Sequence, residues 1–392
     1  MYKRHSGVES GLVMVEVEAA SSSEERLGRD VDLIVGGRID SAAPKLHLRL
    51  RKPGQDGLYF LSAHPQRQPV PELAMPEHLD FDAAIVGGGP AGLAAAINLA
   101  RALRSVLVFD RPQPGRSDYP QVNHNYLGFP DGIPARELCE RGTAQAERYG
   151  AQFSDSEVVA IRRVADGFAL EGSGGERCRV RGVILATGVR DHWTRFPGFE
   201  TFVGRSLHWC IVCDGYEMRG KRVVVAGNDD EAATMAVQMH RFTRDVTLVT
   251  NDGALGLTPE GFDRLARREL PVVIGRITSG RAQSGAPGML ESLRLEDGRE
   301  LPVEHLFSHQ GAAPQTALAR SLRVELSNGG YITVDTEQRT SEPFVYAAGD
   351  CTRLLAHQIV TAAHEGATAA QTLNYDLFEA DELQGDTGAR VA

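Results

Sequence analysis

The stretch Phe81-Asp82-Ala83-Ala84-Ile85-Val86-Gly87-Gly88-Gly89-Pro90-Ala91-Gly92 constrains the fold of this chain more than any other. A short apolar run that stops at glycines reads as a buried strand. The Ala- and Leu-rich segment to about Arg104 reads as a helix, and Val106-Leu107-Val108-Phe109 as the next strand, with Asp110 at its end. In this pattern Gly87 permits a tight turn, Gly89 lets the backbone approach a pyrophosphate, and Gly92 lets the helix pack on the strand. An acid ~20 residues on is placed for a ribose hydroxyl. A bare G-x-G-x-x-G recurs by chance. With strand, helix and acid all in place it is a dinucleotide-binding βαβ unit, which requires a parallel sheet covered by helices.

A length of 392 residues allows two domains and an appendage, because single cores rarely grow past ~250–300 residues. The glycine count of 42 suits several nucleotide-binding turns. The net charge of -10 argues against nucleic acid or an anionic membrane as partner, since phosphate surfaces need a basic excess. No apolar run reaches the ~18–20 residues that span a bilayer, and the N-terminal residues lack a signal-peptide core.

Residues 1–78 read as an N-terminal extension. Asp32–Gly37 and Leu46–Leu50 are candidate short strands, and Pro65, Pro69, Pro71 and Pro76 mark a linker. The segment is either a small accessory domain or a poorly ordered extension, with Met75 beginning the compact protein. Past the first βαβ unit, a polar helix is expected from Pro134 to Tyr149. Strands follow at Val158–Val164, Phe168–Leu170, Cys178–Val180 and Val183–Leu185, the last running into Ala186-Thr187-Gly188.

A second strand–turn–helix follows: Arg222–Ala226, then Gly227-Asn228-Asp229-Asp230-Glu231-Ala232, then a helix to Phe242 and a strand at Asp245–Val249. Short strands at Val272–Ile274, Leu293–Leu295 and Val303–Phe307 are expected to complete this unit. The chain closes with Phe344–Asp350 and a helix over Gln358–Leu373, with a frayed tail beyond Ala380.

Between the two units lies His208-Trp209-Cys210-Ile211-Val212-Cys213-Asp214-Gly215. Two thiols two residues apart in a turn can close a disulfide with little distortion, and either can be activated as a thiolate. The other cysteines, Cys139, Cys178 and Cys351, are scattered, so an extracellular disulfide framework is not indicated. A structural zinc would need two more ligands, with only Cys178 and His208 near in sequence and no second C-x-x-C, so no metal is expected. Asp214 is either an acid serving the thiols or the first half of an Asp-Gly turn. His208 and His357 read as structural histidines or as bases near the pair.

The order GGGPAG, LATG, CxxCDG and YAAGD resembles the low-molecular-weight thioredoxin reductases of the pyridine nucleotide–disulfide oxidoreductase superfamily, over about residues 80–378. The resemblance implies an α/β fold of two Rossmann-like domains, three-layered, the second inserted in the first. The FAD-binding domain would cover residues 79–194 and 305–380. The NAD(P)-binding-like domain, carrying the redox pair, would cover 195–304. FAD contacts are implied for Gly87, Gly89, Pro90, Ala91, Gly92, Asp110, Asn125, Thr187, Gly188, Gly349, Asp350 and Gln358, with His357 standing where the family has arginine. Cys213 would face the flavin, Cys210 would attack the substrate, and Asp214 would protonate the leaving thiolate. A cytoplasmic homodimer acting on a thioredoxin-like protein or a small disulfide or dithiol is also implied.

The second fingerprint departs from the family. Asn228 and Asp229 stand where it has glycine, and Ala232 takes the third position. Asp229, Asp230 and Glu231 would cap their own helix and repel a pyrophosphate. No arginine or lysine occurs from Asn251 to Asp263, where NADPH-dependent members carry a basic cluster for the 2′-phosphate. Both features argue against NADPH and leave ferredoxin or oxygen as electron partners. A flavin-bound sensor that merely retains the scaffold would need neither the cysteine pair nor Asp214.

Overall fold

The computed structural model describes residues 46–49, 60–63, 80–111, 115–353 and 355–383. Leu46–Arg49 pairs antiparallel with Phe60–Ala63, with Leu46 opposite Ala63. The expected strand at 32–37 and the proline-rich linker lie outside the described residues.

In chain order, the nucleotide fingerprint forms β1 (Phe81–Val86), α1 (Pro90–Arg101) and β2 (Val106–Phe109). Next come α2 (Ala135–Glu147), β3 (Gln152–Ser154), β4 (Val158–Val164), β5 (Gly167–Gly172) and β6 (Arg177–Leu185). The redox segment supplies β7 (Leu207–His208) and the short α3 (Ile211–Asp214). The second unit then contributes β8 (Val223–Ala226), α4 (Asp230–Met239), β9 (Val246–Val249), α5 (Pro259–Ala266) and β10 (Val272–Val273). An antiparallel trio follows, β11 (Ile277–Gln283), β12 (Ala286–Leu295) and β13 (Glu300–Pro302). The chain ends with β14 (His305–Ser308), β15 (Val345–Ala347) and α6 (Ile359–Leu383).

Two sheets organise these elements, the first parallel except for the antiparallel pairs β6–β5 and β5–β4, the second wholly parallel. The first runs β3-β2-β1-β6-β5-β4, with β15 added beside β6. The second runs β7-β14-β8-β9-β10, parallel throughout. All strands of the second sheet fall in sequence between β6 and β15, so one Rossmann-like layer is inserted in the other. Both β8 and β14 are buried at every residue, as parallel strands covered on both faces must be.

Three expectations need correction. Cys178–Val180 and Val183–Leu185 form the single strand β6. Its first half pairs with β5 and its second half with β15, so one strand serves two neighbours on one side. Leu293–Leu295 belongs to β12 of the antiparallel trio rather than to the second parallel sheet. The last helix continues ten residues past Leu373, because Leu377 keeps its buried face going and Asp381 takes hydrogen bonds from Arg104 and Arg181. Close approach of α1 and α6 depends on glycine: a Cβ on Gly366 would lie 1.9 Å from the Ala91 carbonyl oxygen.

Candidate active site

A cleft of about 920 Å³ runs along the C-terminal edge of the first sheet and reaches the redox pair. Every residue assigned above to cofactor contact lines it except Gly92. Gly92 works from behind: its Cβ would sit 1.8 Å from the Gly87 carbonyl oxygen, so glycine is what seats α1 against the loop. Gly87 adopts φ +115° and would meet the Ala186 carbonyl oxygen at 2.2 Å, whereas nothing lies within 4 Å of a Cβ on Gly89. Gly89 caps α1 without any side-chain hydrogen bond. The first N–H groups of α1 thus remain available to a phosphate, the usual use of such a terminus.

The walls are held by specific contacts. Asp110 Oδ1 accepts from the Gly88 N–H at 3.0 Å, and burial raises its carboxyl above the ordinary value. Thr187 Oγ1 donates to the Gln315 carbonyl oxygen at 2.6 Å, and Gln315 Nε2 returns a bond to the Thr187 carbonyl oxygen at 2.6 Å. The Gly349 N–H donates to buried Glu365 at 2.7 Å. Arg116, to which the sequence assigned no role, links Asp350 at 2.8 Å to Asp191 at 2.9 Å. Its loop position gave no sign of those long-range partners. An uncapped helix terminus, an acid at the end of β2 and a long cleft reaching the cysteine pair fit FAD. When bound there, FAD supplies a reversible two-electron acceptor.

Cys210 and Cys213 form a disulfide. Cys210 is the N-cap of α3, its sulfur accepting the Cys213 N–H at 3.1 Å. Cys213 and Asp214 line the cleft, and Cys210 does not. Gln358 Nε2 points at both sulfurs, 3.5 Å from each, while its Oε1 accepts from Asn125 Nδ2 at 2.8 Å. An amide donor at that position can stabilise negative charge on sulfur. His357 lies in the cleft wall with Nε2 bonded to the Arg353 carbonyl oxygen at 2.7 Å. His208 is buried, with Nδ1 3.6 Å from Asp214 Oδ2 and Nε2 3.1 Å from His305 Nδ1. No sequence signal singled out His305, which stands 97 residues away. Among the described residues no group of His, Cys, Asp or Glu is arranged to hold a metal ion.

The turn between β8 and α4 is built differently from that between β1 and α1. Asp229 Oδ1 accepts from the Ala232 N–H at 2.7 Å, and Asn228 Oδ1 accepts from the Gly256 N–H at 2.6 Å. Asp230 takes both the Thr258 N–H and the Thr258 hydroxyl. His309 stands 3.7 Å from Asp229 and 3.5 Å from Glu231.

The family described as pyridine nucleotide-disulphide oxidoreductase matches residues 81–366. The thioredoxin reductase of Treponema pallidum is 32% identical over 295 residues, covering 74% of this chain and 95% of that protein. Among solved structures, HlmI superposes with a TM-score of 0.72 at 29% identity, covering 78% of this chain and 95% of its own. The thioredoxin reductase from Streptococcus pyogenes does so with a TM-score of 0.70 at 26% identity, covering 76% and 98%. With its cysteine pair closed beside a cleft shaped for a dinucleotide, the chain belongs to the pyridine nucleotide-disulphide oxidoreductase family and is a thioredoxin reductase-like, FAD-dependent disulfide oxidoreductase.

Proposed function

We propose that the Cys210–Cys213 pair exchanges two electrons with FAD held in the cleft and passes them to a thioredoxin-like protein or a small disulfide. The single observation carrying this reading is that Cys213, but not Cys210, lines the cleft. Cys213 is then the cofactor-side sulfur, and Cys210 the one that meets substrate. The Cys210 thiolate attacks one substrate sulfur; a bond forms between them and the substrate S–S bond breaks. Asp214 gives the departing sulfur a proton. Cys213, also as a thiolate, next attacks Cys210, which closes the pair and releases the second substrate sulfur, and that sulfur takes up a second proton. The substrate gains two electrons and two protons, and the pair is oxidised.

Within this reading, Gly87, Gly89, Pro90 and Ala91 receive the pyrophosphate, Asp110 the ribose, and Asn125, Thr187, Gly188, Gly349, Asp350 and Gln358 the remainder. The cofactor domain comprises 79–194 and the segment up to 380, whose expected start at 305 moves past β14 because His305–Ser308 pairs within the second sheet; the intervening unit from 195 carries the pair. Thioredoxin-like partners are supported by the relatives named thioredoxin reductase.

A second reading concerns the electron donor. NADPH is a poor fit to the second unit, because Asp229 already occupies the helix terminus a pyrophosphate would use. Near the next strand's end Asp252 meets Arg276 at 3.9 Å, and no arginine or lysine occurs from Asn251 to Asp263. Ferredoxin or oxygen then becomes the electron partner. Anaerobic titration of the yellow protein with NADPH, NADH and a dithiol tests both readings. Bleaching by the dithiol alone is expected. Rapid stoichiometric bleaching by NADPH would remove the second reading, and a protein that takes up no FAD would remove the first.

A further inference from the structure

Two buried imidazoles stand in contact behind the redox pair. Parallel pairing of β7 with β14 sets Leu207 beside Leu306 and His208 beside Phe307. This brings His305 to His208, Nε2 to Nδ1, at 3.1 Å. The Phe307 ring stacks on His208 with centroids 5.1 Å apart. The two histidines are only 6% and 8% exposed, and neither lines the cofactor cleft. His208 Nδ1 faces Asp214 Oδ2 at 3.6 Å. Beyond these, the charged groups felt by His305 are Glu304 and Lys221, which pair with each other at 3.2 Å on the more exposed side. Burial, reinforced by the neighbouring imidazole, pushes His305 down to about 4, so it is neutral near pH 7. Two apolar side chains could fill the same space without a buried polar pair to satisfy.

We propose that His208 and His305 form a proton relay that restocks Asp214 between the two halves of disulfide exchange; this rests on the reading of Asp214 as the acid. With both cysteines reacting as thiolates, reducing one disulfide takes two protons from outside the pair, and a single carboxyl holds one. Once Asp214 has given its proton to the departing sulfur, its carboxylate takes another from His208 Nδ1. His208 Nε2 takes one from His305 Nδ1, and His305 Nε2 takes one from water at the Glu304–Lys221 edge. One proton enters, one leaves, and neither ring keeps a net charge. Neutral imidazole suits this task because it accepts at one nitrogen while donating from the other. Run in the direction of dithiol oxidation, the same chain drains protons outward. Both histidines are positioning residues: they act on the sulfurs only through Asp214.

The test uses FAD-loaded protein reduced with dithiothreitol, freed of excess reagent under argon, and mixed rapidly with one of two disulfides. Hydroxyethyl disulfide leaves as a basic thiolate that needs a proton; a nitrophenyl disulfide leaves as an acidic thiolate that does not. His208→Gln and His305→Gln are each expected to slow the first reaction by about tenfold and Asp214→Asn by about 100-fold, the scale of general acid catalysis. The second reaction should be unchanged in the two histidine variants, and the high-pH limb of the first should move to lower pH in them. Slow reaction in Asp214→Asn with normal histidine variants would overturn the relay and leave the acid in place. Normal reaction in Asp214→Asn would overturn the acid and the relay together. Equal slowing with both disulfides would reduce the histidines to a packing role. Should either histidine variant lose its flavin, wild-type rates in mixtures of light and heavy water decide: a curved dependence supports several protons in transit, and a straight line overturns the relay.

Discussion

Asp229 Oδ1 holds the Ala232 N–H at 2.7 Å, so α4 is closed at its N-terminus by its own chain. At the equivalent place in the first unit, Gly89 leaves the terminus of α1 without a side-chain cap. The two turns follow strands of the same kind and precede helices of the same kind. They differ in whether an incoming anion finds free N–H groups or a carboxylate.

Asp229→Gly should therefore open the second turn. Glycine at an N-cap costs α4 only ~0.3 kcal/mol relative to aspartate, while a negative charge and a competing acceptor both disappear. NADPH affinity, read from the concentration dependence of anaerobic flavin bleaching, is expected to rise on the order of tenfold, equivalent to ~1.4 kcal/mol. Unaltered bleaching would mean that the missing cations near Asn251–Asp263, and not the cap, limit this site.

The α1–α6 contact carries a second prediction. A methyl group on Gly366 would fall 1.9 Å from the Ala91 carbonyl oxygen, which is backbone and cannot swing away. Gly366→Ala is expected to destabilise the protein by about 2 kcal/mol, in the range of core overpacking. It should also loosen FAD, because Ala91 lines the cofactor cleft. Thermal melting with and without added FAD checks this; a melting temperature equal to wild type in both would refute the claimed tight contact.

What could be read from the chain alone divides along sequence distance. The first fingerprint was legible because each glycine answers a local demand, such as φ +115° at Gly87. The cap at Asp229 was legible for the same reason: donor and acceptor are three residues apart. His305 was not legible, since only the pairing of β7 with β14 carries it to His208. Gln358 could be placed near the cofactor by motif, yet its approach to both sulfurs spans 145 residues or more. Strand β6 was split in two because its partner changes midway, and periodicity within one strand does not record its neighbours.

Gln358 leads to the third prediction. Its amide donates toward both sulfurs and is itself held by Asn125. Gln358→Leu removes a donor from a developing thiolate, an interaction worth ~1.5–3 kcal/mol when one member is charged. Thiol-driven flavin bleaching should slow by roughly tenfold or more on that scale. Gln358→Glu, similar in size but an acceptor when ionised, should be slower still above the carboxyl's own pKa and recover as pH falls. If the leucine and glutamate variants bleach alike at every pH, the amide has no electrostatic task at the sulfurs.

The buried pair also predicts how stability depends on acidity. His305 titrates near 4 rather than at its ordinary 6.5, first because it is buried and then because His208 adjoins it. Between those two values the unfolded chain binds the proton and the folded chain refuses it, so stability falls as pH drops through that window and is constant above it. The gap corresponds to at most about 3.5 kcal/mol, at ~1.4 kcal/mol per pKa unit. Glutamine at position 305 keeps a polar side chain but has nothing to titrate. His305→Gln should accordingly lose less stability than wild type between about pH 7 and about pH 4.5, measured as the shift in urea midpoint, whatever its stability at neutral pH. Equal losses in the two proteins would show that other groups set the acid sensitivity and that His305 is charged as readily in the fold as outside it.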